Sequence, residues 1–381
     1  MIKIKNLVNK STTARYAILI CLSFFVLLSN QKQIVAQEVI ETESHEKKAF
    51  DPGTFIFEHI GDAYEWHIAK FGHTHVSIPL PVIVYSKEKG LNIFISSKFH
   101  RGEEAYNGFY IDEDVKSATK GKIVEKLSDG TVVRPFDISI TKNVLSLMVS
   151  LSLLLIIFIS VAKAYKKNPG KAPKGMQSFL EPLILFIRDD IAKASIQKNY
   201  EKYMPYLLTA FFFIFLNNLL GLVPIFPGGA NLTGNITITI ALALFTFTIT
   251  TFSGNKNYWV HMVNTPGVPW WLKIPIPLMP FVEILGMFTK PFVLAVRLFA
   301  NITAGHIIAL VFYSLIFIFG AMNVFIGYGI SVVSVLFIVF MMFLELLVAF
   351  VQAYVFTMLS ALYFGLATEE HHEEHAKAAN H

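Results

Sequence analysis

The sequence predicts an all-α membrane protein. It has five membrane helices, the last two long and strongly tilted as a hairpin, and an exported N-terminal segment with some β structure. Three observations predict this class. Of 381 residues, 54% are hydrophobic and only 15% charged, whereas a soluble domain carries about 25% charged residues. The apolar residues gather in long runs after Val144, as in spans joined to a water-soluble segment. Two of those runs, 280–319 and 326–366, are about forty residues each, when a perpendicular helix needs only about 20. The net charge is +5, with Lys and Arg mostly beside the apolar runs. That placement suits membrane orientation. No basic stripe interleaved with aromatics speaks for nucleic acid, and no Gly-rich phosphate loop speaks for nucleotide hydrolysis.

Residues 1–36 read as a signal peptide. Lys3, Lys5, Lys10 and Arg15 form a basic n-region, residues 17–29 an apolar h-region, and Ile34-Val35-Ala36 a cleavage site before Gln37. An uncleaved first anchor is the alternative reading. The sole cysteine, Cys21, lies in the h-region, so a cleaved chain has no disulfide. Residues 37–140 form the exported, periplasmic segment. An amphipathic helix is predicted over 55–71, carrying Phe57, Ile60, Tyr64, Trp66 and Ile68. Strands are predicted over 75–84, 92–97 and 131–138, with turns at Tyr106-Asn107-Gly108 and Ser128-Asp129-Gly130. His73 and His75 put two imidazoles on one strand face, a candidate metal site for which the sequence offers no further matched ligands.

The membrane domain is expected over 141–367. Its first span, 143–162, is followed by Lys163, Lys166, Lys167, Lys171 and Lys174, which mark the cytoplasmic side. Pro169, Gly170 and Pro173 break the chain there. Residues 176–194 predict an amphipathic surface helix, with Phe179, Leu183, Phe186 and Ile187 opposite Glu181, Arg188 and Asp189. Spans follow at 205–224 and 235–252, the latter rich in Thr, and then a cytoplasmic loop over 253–277 with Trp259, Trp270 and Trp271 at the interface. Neither long run contains a Pro or Gly cluster that would split it, so each predicts one long tilted helix. Residues 368–381 form a cytoplasmic tail. Its His371, His372, His375 and His381 sit among Glu373 and Glu374 and read as a solvated tail.

Ionisable residues inside the membrane are the candidate functional groups, since each costs about 2.5–3.5 kcal/mol to bury there. The first long helix contains Glu283, Lys290, Arg297 and His306, and the second contains Glu345. At about 100° per residue, Glu283, Lys290 and Arg297 fall within about 40° of one another, and Asn301 joins them. His306, nine residues after Arg297, points to the opposite side. Glu345, Gln352 and Tyr363 share a face of the second helix. Lys290 and Glu283 can also be read as snorkelling side chains, His306 as a core histidine and Glu345 as its static partner. Arg297 resists a structural reading: it cannot deprotonate, and no acid lies one turn away.

Here the sequence closely resembles the subunit a family of rotary F-type ATP synthases. The resemblance rests on Lys290-Pro291-Phe292-Val293-Leu294-Ala295-Val296-Arg297-Leu298-Phe299-Ala300-Asn301 and Ala304-Gly305-His306. Further matches are Leu344-Glu345, Val351-Gln352-Ala353-Tyr354-Val355-Phe356 and Ala367-Thr368-Glu369-Glu370-His371. Phe215-Leu216-Asn217-Asn218-Leu219, Pro224, Asn235 and Phe186-Ile187-Arg188-Asp189 add to it, over roughly residues 140–371. The resemblance implies a non-catalytic, proton-conducting stator subunit without cofactor or metal, in the bacterial inner membrane. Its partners would be c-ring proteolipids, the b subunits of the peripheral stalk, other Fo and F1 subunits, the lipid bilayer and protons. It implies that Arg297 faces the ring carboxylates and separates two half-channels. It places His306 and Glu345 in the outer one, histidine first, with Asn301 and Gln352 as polar neighbours, and Glu283 in the cytoplasmic one. Lys290, Tyr363, Asn218 and Asn235 complete the proton path. Gly286 and Gly221 stand where some members carry a hydroxyl or acid, which implies an exit path lined by water and backbone. Residues 37–140 depart from the family, most of whose members have a much shorter N-terminus. Two rival readings stay open: a stand-alone secondary transporter, though neither internal repeats nor broken helices are clear, and a non-conducting scaffold, which would not need aligned polar stripes.

Overall fold

The structure is a computed structural model. It describes residues 52–369 except 54–55, 57–59, 72–73, 103, 113, 115–116, 118, 128–129, 168, 224–227 and 264–277. The signal-peptide reading, Phe57, His73, Ser128, Asp129, Pro224, Trp270, Trp271 and the tail histidines lie outside the described residues.

Eight short strands come first: β1 Glu65–Phe71, β2 Thr74–Pro79, β3 Pro81–Ser86, β4 Gly90–Ile95, β5 Phe109–Ile111, β6 Ile123–Lys126, β7 Val132–Val133 and β8 Phe136–Asp137. They form an antiparallel β1–β2 pair and two three-stranded sheets, ordered β4-β3-β8 and β5-β6-β7. The helix expected over 55–71 does not extend through that range, because its second half is β1. Tyr64 and Trp66 turn inward at a two-residue period, and β2 supplies an antiparallel partner. The strand expected over 75–84 is two strands: Pro79 and Pro81 lack N–H donors, and Leu80 between them bonds instead to Ser96. The strand expected over 131–138 is likewise divided, into β7 and β8, around Pro135. The turn at Tyr106 forms as expected. Tyr106 and Phe109 exchange backbone bonds of 2.8 and 2.9 Å across Asn107 and Gly108, whose φ angles are 51° and 77°.

Tyr64 ties this segment together. Its hydroxyl donates to Asp137 Oδ2 (2.5 Å) and accepts from the Ile123 N–H (3.4 Å). Burial, reinforced by Asp137, pushes its phenol well above the ordinary range. Around it pack Val82, Val84, Phe99, Phe109 and Ile123. The segment then joins the membrane domain directly. Asp62 Oδ1 accepts the Asn143 N–H (3.0 Å) and the Ala63 carbonyl accepts the Lys142 N–H (2.8 Å), so the first helix starts with its free donors satisfied.

That helix is α1, Lys142–Lys167. α2, Met176–Phe186, continues into a π-helical turn, Ile187–Lys193, and a short turn, Ala194–Ile196, where one surface helix was expected. Then come α3 Tyr200–Leu222, α4 Ile236–Ser253, α5 Lys256–Val263, α6 Leu278–Met322 and α7 Val324–Thr368. α5 is a helix inside the expected cytoplasmic loop. Among the described residues five helices are long and apolar enough to cross a membrane: α1, α3, α4, α6 from Phe281, and α7. α6 and α7 each have 45 residues, about 68 Å at 1.5 Å per residue. Only Asn323 separates them. Its side chain accepts the Phe325 N–H (2.9 Å), so one residue both reverses the chain and caps α7.

α3 is the hub. Its Tyr203, Leu207, Phe211 and Ile214 are buried in one cluster with Ile187 and Ile191 of the π-helical turn and with Ala353, Phe356 and Phe364 of α7. Gly365 lets α7 approach the short turn Ala194–Ile196, because a Cβ there would collide with the Ser195 carbonyl oxygen. α6 and α7 have far more surface than this core covers. Only 6% and 11% of their most apolar windows are buried within the chain, so lipid or a partner must cover the rest.

Candidate functional site

The ionisable residues of α6 are sorted into two cavities, with Arg297 between them. The first lies where the end of α3 meets the middle of α6 and α7. It measures about 180 Å³ and is lined by Asn218, Leu222, Asn301, Gly305, His306 and Glu345, among others. His306 Nδ1 stands 3.7 Å from Glu345 Oε1. That separation suits an ion pair but exceeds a direct hydrogen bond, and Glu345 Oε1 has no hydrogen-bond partner although it is buried. Such an orphan oxygen in a cavity of this size calls for water. Two glycines make room for the pair. A Cβ on Gly305 would come within 2.8 Å of Glu345 Oε1, and one on Gly221 would lie 3.9 Å from the His306 ring. Asn218 holds the wall in place: it accepts from Thr233 Oγ1 (2.6 Å) and donates to the Ala349 carbonyl (3.2 Å).

The second cavity lies at the other end of the bundle, where α5, the start of α6 and the end of α7 converge. It too measures about 180 Å³ and is lined by Tyr258, Glu283, Met287, Lys290 and Glu369, among others. Lys290 Nζ sits 5.8 Å from the centre of the Tyr363 ring, a cation–π contact between the two long helices. Asn255 fastens the α4–α5 connection to the end of α7, donating from N–H to the Ala367 carbonyl (2.9 Å) and from Nδ2 to the Thr368 carbonyl (3.0 Å). Burial, reinforced by Glu283, pushes the Tyr258 phenol up, so it stays a protonated donor at neutral pH.

The two cavities share no lining residue. Arg297 stands between them on α6, seven residues from Lys290 and nine from His306, or about 10 and 14 Å along a helix. It is exposed, as are Val293, Ala300, Asn301 and Ala304. Those positions make one stripe at helical spacing, with small side chains flanking the guanidinium. Among the described residues no carboxylate pairs with Arg297.

The sequence reading is therefore partly regrouped. Glu283 and Lys290 do share a cavity, but Asn301 lines the His306 cavity rather than continuing toward Lys290. Glu345 and Tyr363 belong to opposite ends, with buried Gln352 between them on α7. Asn235 caps α4, accepting the Thr237 N–H (3.0 Å), and does not line either cavity. Gly221 and Gly286 are separated: the first touches His306, the second follows Glu283. His75 lies on β2, and among the described residues no group of three or more metal-ligating side chains converges. Tyr258 and Glu369 line the second cavity without a sequence signal for it. Glu369 lies in the Ala367–His371 run at the end of α7, and Tyr258 sits in a short helix with no periodicity to mark it.

Comparison with known proteins bears on this arrangement. The family model described as ATP synthase A chain matches residues 144–365. A second, described as a domain of unknown function (DUF8433), matches residues 55–141. The chain is 48% identical over 260 residues to "ATP synthase subunit a" of Chlorobium phaeobacteroides, covering 66% of this chain and 72% of that protein. It is 49% identical over 259 residues to "ATP synthase subunit a 2" of Prosthecochloris aestuarii, covering 66% and 74%. With "ATP synthase subunit a" of Chloroherpeton thalassium it shares 45% identity over 252 residues, covering 64% and 71%.

Proposed function

The chain belongs to the ATP synthase A chain family, and from that premise we propose that its two cavities are proton half-channels meeting at Arg297 against a rotating ring of c-type proteolipids. Family membership makes it a multi-pass, non-catalytic, ion-translocating subunit of the membrane sector, working in a complex with other Fo and F1 subunits. The observation that carries the finer reading is the separation of the cavities: equal in size, without a common wall residue, and divided along α6 by one exposed arginine.

In this mechanism a proton enters from outside through the His306–Glu345 cavity, where imidazole and carboxylate exchange it through water. It passes to a carboxyl group of the ring at the exposed stripe of α6, whose Ala300 and Ala304 let a neighbouring helix approach closely. After nearly a full turn the carboxyl group reaches Arg297. The fixed positive charge favours its ionised form by roughly 1–4 kcal/mol and so releases the proton. The proton leaves through the cavity of Glu283, Lys290 and Tyr363. Arg297 cannot relay a proton itself, so it keeps the half-channels from short-circuiting.

The lysines at and beyond the end of α1, together with the amphipathic α2, support a cytoplasmic position for the Glu283 end and an exported position for residues 37–140, in the bacterial inner membrane. Residues 1–36 are read as a cleaved signal peptide, 141–367 as the membrane domain and 368–381 as a cytoplasmic tail. The b subunits of the peripheral stalk are the proposed static partners.

Replacing Arg297 with Ala and following ATP-driven proton pumping in inverted membrane vesicles tests this reading, with assembly of the complex checked in parallel. Loss of pumping in an assembled complex supports it. Pumping at the normal rate sinks it.

A further inference from the structure

α4 buries threonine where a membrane helix ordinarily buries aliphatic side chains: its buried positions are Thr239, Ala243, Thr246 and Thr250. A threonine in a helix usually returns its hydroxyl proton to the carbonyl three or four residues back. Thr239, Thr246, Thr248 and Thr250 all do so. Thr246 is saturated further, lying 2.6 Å from the Tyr206 hydroxyl and 3.2 Å from Ser360 Oγ. Thr251 is different. Its hydroxyl oxygen is buried and has no hydrogen-bond partner.

Thr251 lines a small cavity together with Tyr258, Met287, Lys290, Pro291 and Tyr363. The cavity measures about 20 Å³, and a single water needs about 10–15 Å³ of such space and two to four polar partners. Those partners are at hand. Besides Thr251 and the Lys290 ammonium, Pro291 has no N–H to offer the carbonyl of Met287, one turn earlier in α6, so that carbonyl lacks its helical donor. The small cavity shares Tyr258, Met287, Lys290 and Leu366 with the larger cavity of Glu283 and Glu369, so the two adjoin. Nothing lies within 4 Å of a Cβ built on Gly286, which leaves that side of α6 open.

We propose that Thr251 holds an ordered water at the inner end of the cytoplasmic half-channel, and that this water links the Lys290–Tyr363 contact to the Glu283–Glu369 cavity. The inference rests on the half-channel reading above and adds to it a water site and a lining helix. A threonine hydroxyl does not ionise at neutral pH, so Thr251 positions the water and does not carry the proton. As one proton reaches the water from the arginine side, another leaves it toward Glu283, and no net charge stays behind.

The test uses the assembled complex in inverted vesicles, with Cys21, the one cysteine of the chain, replaced by Ser. T251V should lower ATP-driven proton pumping by about fivefold, the loss of one hydrogen bond at a buried water, whereas T251S should pump normally. Silver ion, a probe that follows water to a thiol, should inhibit T251C and spare T248C, because Thr248 is exposed on the outside of α4. Should T251V fail to assemble, silver sensitivity of T251C decides alone. The inference is overturned if T251V pumps like the wild type or if T251C is as insensitive to silver as T248C. R297A in the same vesicles separates the two levels: if R297A is inactive while Thr251 proves silent, only the water site is wrong, and if R297A pumps, the half-channel reading itself has failed.

Discussion

At one end of the membrane domain a carboxylate faces an imidazole across 3.7 Å, and the remaining walls are largely Leu222, Ile302, Met341, Leu344 and Val348. At the other end a cavity of the same size presents two carboxylates, an ammonium and a phenol. Equal volume with unequal chemistry teaches something about each end. The first cavity sets one acid against one imidazole among mostly aliphatic walls and leaves one buried carboxylate oxygen without a hydrogen-bond partner. The second gathers Glu283, Glu369, Lys290 and Tyr258 with no such pair. Under the proposed mechanism the first passes protons through a dedicated pair, the second through water, and Arg297 on α6 keeps the two apart.

The sharpest way to break this comparison is to remove the titrating pair. H306A or E345Q should each lower coupled pumping by about tenfold or more, the scale of losing a proton-transfer group. The exchange H306E/E345H should pump better than either single variant, because the pair needs an acid and an imidazole rather than a fixed order. Two inactive singles with an equally inactive exchange would make the 3.7 Å contact a rigid structural one.

The glycines sharpen the His306–Glu345 end further. G305A forces Glu345 to move, since the added carbon would sit 2.8 Å from Oε1, and should cost pumping about fivefold. G221A meets the His306 ring at 3.9 Å, an ordinary contact, and should pump near the wild-type rate. Equal effects from the two would show that the cavity relaxes around added volume.

Smaller effects are expected away from the cavities. Y64F removes a buried donor from Asp137 and should destabilise the strand-bearing N-terminal segment by about 1–3 kcal/mol, read as faster amide exchange in β6 and β8 of the intact complex, with pumping unchanged. D189N should do least. Hydrogen bonds from Arg188 and Lys193 hold the Asp189 carboxyl well below the usual carboxylate range. Any stability it contributes is complete above the ordinary carboxylate range and disappears only as pH falls through that depressed value. Pumping between pH 6 and 8 should therefore follow the same profile in D189N and wild type.

The membrane half was largely legible in the sequence because its signals are long. Two apolar runs too long for perpendicular spans became the paired helices α6 and α7, and nine-residue spacing turned His306 away from Arg297. What stayed hidden depends on contacts between elements. Asn301 follows the arginine stripe by angle and is exposed with it, yet it also lines the His306 cavity beside residues of α3 and α7. Thr251 looks like any other threonine of α4 until the neighbouring helix shows that its hydroxyl has no partner. The strand-bearing N-terminal segment was harder, because its signals are short. Tyr64, Trp66 and Ile68 satisfy a two-residue period as well as a helical face, and only pairing with β2 decides between them. β5 and β6, at three and four residues, are held by Tyr64 and Phe109 rather than announced by pattern.

Passive proton flux through R297A vesicles, stripped of the nucleotide-hydrolysing sector, tests the central claim most directly. The account predicts a proton leak above the wild-type level together with loss of coupled pumping, because removing the fixed charge joins two paths that it had kept apart. A membrane that stays as tight as wild type and still pumps when the stripped sector is restored would contradict the claim that Arg297 divides the two cavities.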